Sequence, residues 1–170
     1  MNTTEENDEI LIGRYARGDA AAFDLLYRRH ELRVWRYLER SVGEQATSDE
    51  LLQDVWLALA RNAVSLESVT RFRTRLFTLA HDRMVQARRE RAAKGAPAPS
   101  RPAKTDEPAN VLSRAMGQLA VEERDAYLLH VEGQLSVGEI AEITESPIDT
   151  VDSRLRMARS KLHEIFSEKP

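Results

Sequence analysis

Apolar residues recur along this chain at intervals of three or four, with polar and charged residues between them. That interval is the repeat of an amphipathic helix, and no alternation of period two persists long enough to predict a strand. The first long stripe is Phe23, Leu26, Tyr27, His30, Val34, Tyr37 and Leu38, with Arg28, Arg29, Arg33, Arg36 and Arg40 outside it. A short apolar-basic segment from Ile10 to Arg17 precedes it and ends at Gly18, and Asp19 is placed to cap the long helix. Gly43 marks the next break. Ser48 to Asn62, SDELLQDVWLALARN, predicts a helix capped by Thr47 or Ser48, with Leu51, Leu52, Val55, Leu57, Leu59 and Ala60 apolar and Asp49, Glu50, Gln53 and Asp54 polar. Arg71 to Arg91 predicts another. In it Phe72, Leu76, Leu79, Ala80 and Val85 pack inward, leaving Arg73, Arg75, Thr78, His81, Asp82, Arg88 and Arg89 around the remaining surface.

The period then lapses. Residues 92–108, AAKGAPAPSRPAKTDEP, have the composition of an extended Pro/Ala linker. Beyond it Val111, Leu112, Met116 and Leu119 open a second helical module, and Val121 to Val131 form a further helix closed by Gly133. From Ser136 to Leu162 two helices lie close together. Val137, Ile140, Ala141 and Ile143 give the first its stripe, and Ser136 with Glu139 makes a capping box. Thr144, Glu145 and Ser146 interrupt the pattern, Pro147 suits the start of the second helix, and Asp149 is a further candidate cap. Val151, Leu155, Ala158 and Leu162 share one face of that helix. Thr150, Ser153, Arg154, Met157 and Lys161 share the opposite one, flanked by Arg156 and Arg159. This is the layout of a DNA-reading helix-turn-helix, and it is also a common way to pack two helices. The expected architecture is all-α, with domains at 1–91 and 109–170 joined by the linker 92–108.

Composition narrows the chemistry. The chain has no cysteine, which excludes disulfides, thiolate zinc sites and cysteine nucleophiles. No apolar run approaches a membrane span, and the polar, acidic start MNTTEENDE is unlike a signal peptide, so a cytoplasmic protein without direct membrane insertion is expected. The four histidines, 30, 81, 130 and 163, are far apart, and there is no glycine-rich phosphate loop, so no enzyme and no cofactor are expected. Glu50 and Asp54 share a helix face, but no second acidic motif completes a hard-cation shell, and no metal site is expected. The net charge of -3 argues against a general nucleic-acid binder. Its distribution argues the other way: residues 71–91 hold seven arginines against Asp82 and Glu90. Arginines interleaved with aromatic residues suit a surface that tracks a phosphate backbone and cradles unstacked bases, and they equally suit a soluble arginine-rich helix.

In order and spacing these segments resemble the extracytoplasmic-function class of bacterial RNA polymerase sigma factors, in the sigma-70 family. GDAAAFDLLYRRH looks like the family's opening helix. SDELLQDVWLALA resembles its A-E-D-L-x-Q-E-V-F-L segment at Gln53, Asp54, Val55 and Trp56. LAVEERDAYLLHVEGQLSVGEIAEI resembles the approach to the second-domain helix-turn-helix, and TVDSRLRMARSKL its recognition helix, T-V-K-S-R-L-x-R-A-R-x-x-L.

The resemblance implies a subunit that binds core RNA polymerase and directs initiation at promoter DNA, commonly under the control of an anti-sigma factor. It places the polymerase contact on Asp49, Glu50, Gln53, Asp54 and Trp56, and the minus-ten contact on Phe72, Arg73, Arg75, Thr78, His81, Arg88 and Arg89. It places duplex minus-thirty-five reading on Thr150, Ser153 and Arg154, with Arg156, Arg159 and Lys161 on phosphates. The chain departs from the family pattern at several positions. Arg75-Leu76 replaces a Trp-Leu pair, and Ala80-His81-Asp82 replaces Ala-Arg-Asn. Glu145 stands at the turn glycine, Asp149 at the glycine before Thr-Val, and Asp152 at a usual lysine. These acids lower the positive potential where DNA is expected, which leaves a sigma-like adaptor with little promoter binding as the alternative.

Overall fold

The computed structural model describes residues 6–66, 71–97 and 108–168. Its helices form two clusters. The first comprises α1 (Asp8–Ala16), α2 (Ala20–Val42), α3 (Gln45–Arg61), a 3-10 turn (Ala63–Leu66) and α4 (Phe72–Ala93). The second comprises α5 (Pro108–Gly117), α6 (Val121–Val131), α7 (Val137–Thr144) and α8 (Ile148–Ser167). Most of the expected linker, residues 98–107, lies outside the described residues; α4 runs on through Ala93, and Pro108 already opens α5.

In the first cluster α2 packs against α1, α3 and α4. Its stripe is buried as its period predicts: Leu26, Val34, Tyr37 and Leu38 are fully enclosed. Asp19 caps it, accepting from the Ala21 amide, and Gly43 ends it in the left-handed conformation (φ 78°) that glycine adopts without steric cost. His30 is a packed histidine whose Nε2 lies 2.7 Å from Asp8 Oδ2, tying α1 to α2. The α1 helix begins two residues before the Ile10 expected from sequence, because Asn7 caps it through the Ile10 amide. The α3 helix likewise starts earlier than Thr47 or Ser48, at Gln45. The Ser48 hydroxyl is buried and donates to the Glu44 carbonyl one turn back, so it is not available to cap.

The inner side of α4 carries Phe72, Thr74, Leu76, Phe77, Ala80 and Met84, all buried. Phe77 meets Tyr37 edge to face, with ring centroids 5.8 Å apart. The buried Tyr37 hydroxyl and His81 Nδ1 are 2.8 Å apart. Burial holds the Tyr37 hydroxyl well above its usual range, so it remains a donor. Burial also depresses the pKa of His81, against smaller upward pulls from Asp125 and Asp82, so the imidazole accepts in its neutral form.

In the second cluster α5, α6 and α7 all pack on α8. Val151, Leu155, Ala158 and Leu162 are its buried face. The Ser136–Glu139 capping box forms: Ser136 Oγ accepts from the Glu139 amide at 3.2 Å, and Glu139 Oε2 accepts from the Ser136 amide at 2.8 Å. Gly133 is needed for closeness, since a Cβ there would sit 2.5 Å from the Leu129 carbonyl oxygen. The turn between α7 and α8 is closed by the Ser146 amide on the Ala141 carbonyl at 3.1 Å. Glu145 turns it in the left-handed conformation (φ 51°, ψ 41°), a region that crowds Cβ against the following carbonyl.

Replacing Glu145 with glycine should stabilise the second cluster by about 1 kcal/mol, the order of the left-handed penalty for a residue bearing Cβ, read as a higher urea midpoint. Because the folded pKa of His81 is depressed, an unfolded chain takes up that proton first as pH falls below about 6.5. Stability should therefore drop from there until His81 titrates in the fold, and His81→Asn, which keeps an acceptor near Nδ1, should flatten this part of the pH profile in urea melts.

Candidate functional site

Three surfaces gather the side chains singled out by the sequence. On α3, Asp49, Glu50, Gln53 and Asp54 are exposed. Asp49 also accepts from Trp35 Nε1 on α2 at 2.8 Å, so part of its hydrogen-bonding capacity is used inside the cluster. Trp56 points the other way: it is 4% exposed and lies edge-on to Phe23 and Tyr27, with centroids 5.8 and 5.1 Å away. These three rings, with Leu52, Gln53 and Leu57, line an open apolar groove of about 280 Å³. The Trp56 indole Nε1 is buried and makes no hydrogen bond among the described residues. Leu57, which the stripe puts inward, is half exposed at the groove edge. A groove of this kind beside an acidic ridge accommodates an apolar side chain from a partner with basic neighbours.

On α4 the seven expected contacts separate. Phe72 is fully buried, its ring 5.7 Å from that of His30, and its amide donates to Glu9 Oε1 at 3.1 Å. His81 turns inward to Tyr37. Thr78 donates to the Thr74 carbonyl. Arg75 and Arg89 are exposed. Arg73 donates to Gln134 Oε1 at 3.0 Å, and Arg88 grips both oxygens of Asp125 at 2.8 Å while donating to the Ser41 carbonyl at 3.1 Å. Arg71, just ahead of this helix, and Thr74 within it also reach the second cluster, bonding to Glu142 and Glu139. The Ser136 amide holds the Glu139 carboxyl below its usual range, against a push up from burial, with the Thr74 hydroxyl helping. Arg40 of α2 adds an ion pair to Glu132 of α6.

These cross-cluster partners, Asp125 and Glu132 above all, are not among the residues that the sequence singles out. Their signal is spacing: Asp125, Leu128, Leu129 and Glu132 recur at helical intervals, which puts one carboxylate on the inward face of α6 and another on the same side at its C-cap, and both are buried.

On α8, Ser153, Arg156 and Arg159 are exposed and Thr150, Arg154 and Lys161 are half-buried. Arg154 Nη1 donates to Ser146 Oγ at 2.9 Å, which tethers it to the turn. Arg156 is paired with Asp152 one turn back at 2.9 Å. Lys161 is held by both oxygens of Glu123 at 3.0 and 2.8 Å, and so joins α8 to α6. The exposed Asp149 and Asp152 border this face. The histidines do not converge, since His30, His81 and His130 bond separately to Asp8, Tyr37 and the Leu135 carbonyl. Among the described residues no group of three or more His, Asp or Glu is placed to hold a metal ion.

Residues 26–94 match the family model for sigma-70 region 2, and residues 109–162 that for sigma-70 region 4. The RNA polymerase sigma factor CarQ of Myxococcus xanthus is 30% identical over 165 residues, covering 91% of this chain and 95% of CarQ. The ECF RNA polymerase sigma factor SigM of Mycobacterium tuberculosis is 28% identical over 168 residues, covering 93% and 84%. Two solved structures share the fold. One is CnrH in complex with the cytosolic domain of CnrY, with TM-score 0.71 and 22% identity, covering 96% of this chain and 99% of that one. The other is the sigma factor RpoE with the anti-sigma factor NepR from Bartonella quintana, with TM-score 0.76 and 20% identity, covering 87% and 98%. The order of the two region matches, the first from within α2 through α4 and the second over α5–α8, and the relatedness along nearly the whole chain lead to one assignment: it belongs to the extracytoplasmic-function class of sigma-70 family RNA polymerase sigma factors, which act by binding and are not enzymes.

Proposed function

We propose that this chain binds core RNA polymerase through α3 and directs initiation at promoters by reading a minus-ten element with the α4 cluster and a minus-thirty-five element with α8. The observation that carries the reading is the α7–α8 pair, a braced helix-turn-helix with Ser153, Arg156 and Arg159 exposed along one side. The apolar groove at Trp56 and the acidic ridge beside it support the polymerase contact. The exposed Arg75 and Arg89 support a single-strand contact on α4. The domain division at residues 1–91 and 109–170 belongs to the same reading. A protein regulator of the anti-sigma kind is a further partner, by likeness to RpoE, solved with NepR. No helix among the described residues is long and apolar enough to cross a membrane, and a cytoplasmic location is part of the proposal.

A second reading, a sigma-like adaptor with little promoter binding, draws on the exposed Asp149 and Asp152 at the α8 face. Run-off transcription with core polymerase and a promoter library separates the two: defined start sites support initiation, and no transcript from any sequence supports the adaptor.

Three outcomes are expected. Leu57→Asp, at a half-exposed groove edge, should weaken polymerase binding about tenfold or more while changing stability by less than about 0.5 kcal/mol, measured by fluorescence titration and urea melts. Asp152→Lys should tighten duplex binding and steepen its salt dependence by about one unit for each additional phosphate neutralised, because it both removes a repelling charge and releases Arg156. Arg154→Ala should cost about 1–3 kcal/mol of duplex affinity if it reads a base edge, and an unchanged affinity in a gel-shift titration would remove it from the reading face.

A further inference from the structure

Five bonds between the two clusters run the same way in charge. The first cluster supplies cations and a hydroxyl, Arg40, Arg71, Arg73, Thr74 and Arg88. The second supplies Glu132, Glu142, Gln134, Glu139 and Asp125 in the same order, four carboxylates and one amide oxygen. Along α4 and the residue before it these donors extend from Arg71 to Arg88, about 25 Å of helix at the usual rise. Arg88 holds Asp125 in a two-pronged fork, the geometry by which a guanidinium also takes two oxygens of a phosphate.

We propose that the acidic inner face of the second cluster, Asp125, Glu132, Glu139 and Glu142, stands in for a nucleic-acid backbone on the first cluster, so that the closed chain and single-stranded DNA compete for the same donors. The proposal rests on the reading of α4 as the single-strand face. The competition is close to balanced for a physical reason. Asp125 and Glu132 are 6% and 5% exposed, and their partners Arg88 and Arg40 are partly screened from water as well. Ion pairs taken out of water give back in Coulomb energy roughly what desolvation costs, so these pairs add little net stability to the closed form. The exposed Arg71–Glu142 pair is weak for the opposite reason, since water and salt screen it. Closure therefore fixes orientation through its buried pairs and stays reversible. The α8 face is left uncovered by these bonds: Ser153, Arg156 and Arg159 remain exposed in the closed chain while Arg73 and Arg88 are occupied. A closed chain can accordingly meet duplex DNA before it can hold a melted strand.

The test uses the full chain. It has no cysteine, so Q86C and S160C, both at exposed positions on α4 and α8, take a donor and an acceptor dye without competing sites. Energy transfer between them reports closure, and anisotropy of a short labelled single-stranded oligonucleotide reports access to α4. The isosteric double variant D125N with E132Q should lower transfer and tighten the oligonucleotide about tenfold, since an affinity limited by a minor open fraction is divided by that fraction. E142K lies at an exposed position that cannot threaten folding, and should act in the same direction by about threefold. Lower transfer with unchanged oligonucleotide affinity overturns the competition, and unchanged transfer in both variants overturns closure by these carboxylates. Run-off transcription by the wild-type chain, measured alongside, distinguishes either result from a failure of the initiation reading itself.

Discussion

The arrangement of the two clusters depends on one buried ion pair. Arg88, near the end of α4, holds Asp125 of α6 with both arms and reaches the Ser41 carbonyl at the end of α2. One guanidinium thus joins three helices from two clusters. Such a pair adds little net stability, because both charges are removed from water, but it tolerates only a narrow range of orientations. With Arg40 on Glu132 as a second point, it sets α6 across α2 and brings α7 to the start of α4. There Thr74 and Glu139 meet, and the carboxylate that caps α7 also serves the contact between clusters.

The same economy runs through the rest of the molecule, where charged groups named for one role are found in another. Asp49 holds Trp35, Lys161 holds Glu123, and Arg154 holds the turn hydroxyl of Ser146. A family pattern identifies positions at which a side chain type recurs. It does not say how many partners that side chain has in a given state of the chain. Phe72 illustrates the limit: the position suits an aromatic surface by its neighbours, yet its ring lies in the core beside His30.

The acids of the helix-turn-helix acquire distinct meanings in three dimensions. Glu145 is a backbone matter, since it occupies a left-handed turn that glycine would take more easily. Asp149 lies in the first turn of α8, where a negative charge favours the helix dipole even as it disfavours phosphate. Asp152 neutralises Arg156. One of the three affects folding, one trades helix stability against DNA affinity, and one acts by pairing with an arginine that stays exposed.

Local and periodic features were determined by the sequence alone. The all-α class, the stripes of α2 and α8, the Asp19 cap, the Gly43 stop and the Ser136–Glu139 box each depend on residues within a few positions of one another, and each formed. The start at Asp8 shifted because Asn7 caps α1, and the start at Gln45 shifted because Ser48 donates to a carbonyl one turn back in place of capping. Tertiary structure alone decided which charges face water and which face each other. Nothing within reach of Arg88 along the chain foretells Asp125, which is 37 residues away, because pairing at that distance depends on where packing places two helices and not on the period of either. The groove at Trp56 has the same origin: Phe23 and Tyr27 belong to α2 and Leu52, Trp56 and Leu57 to α3, and only the crossing of the two helices turns two stripes into one surface.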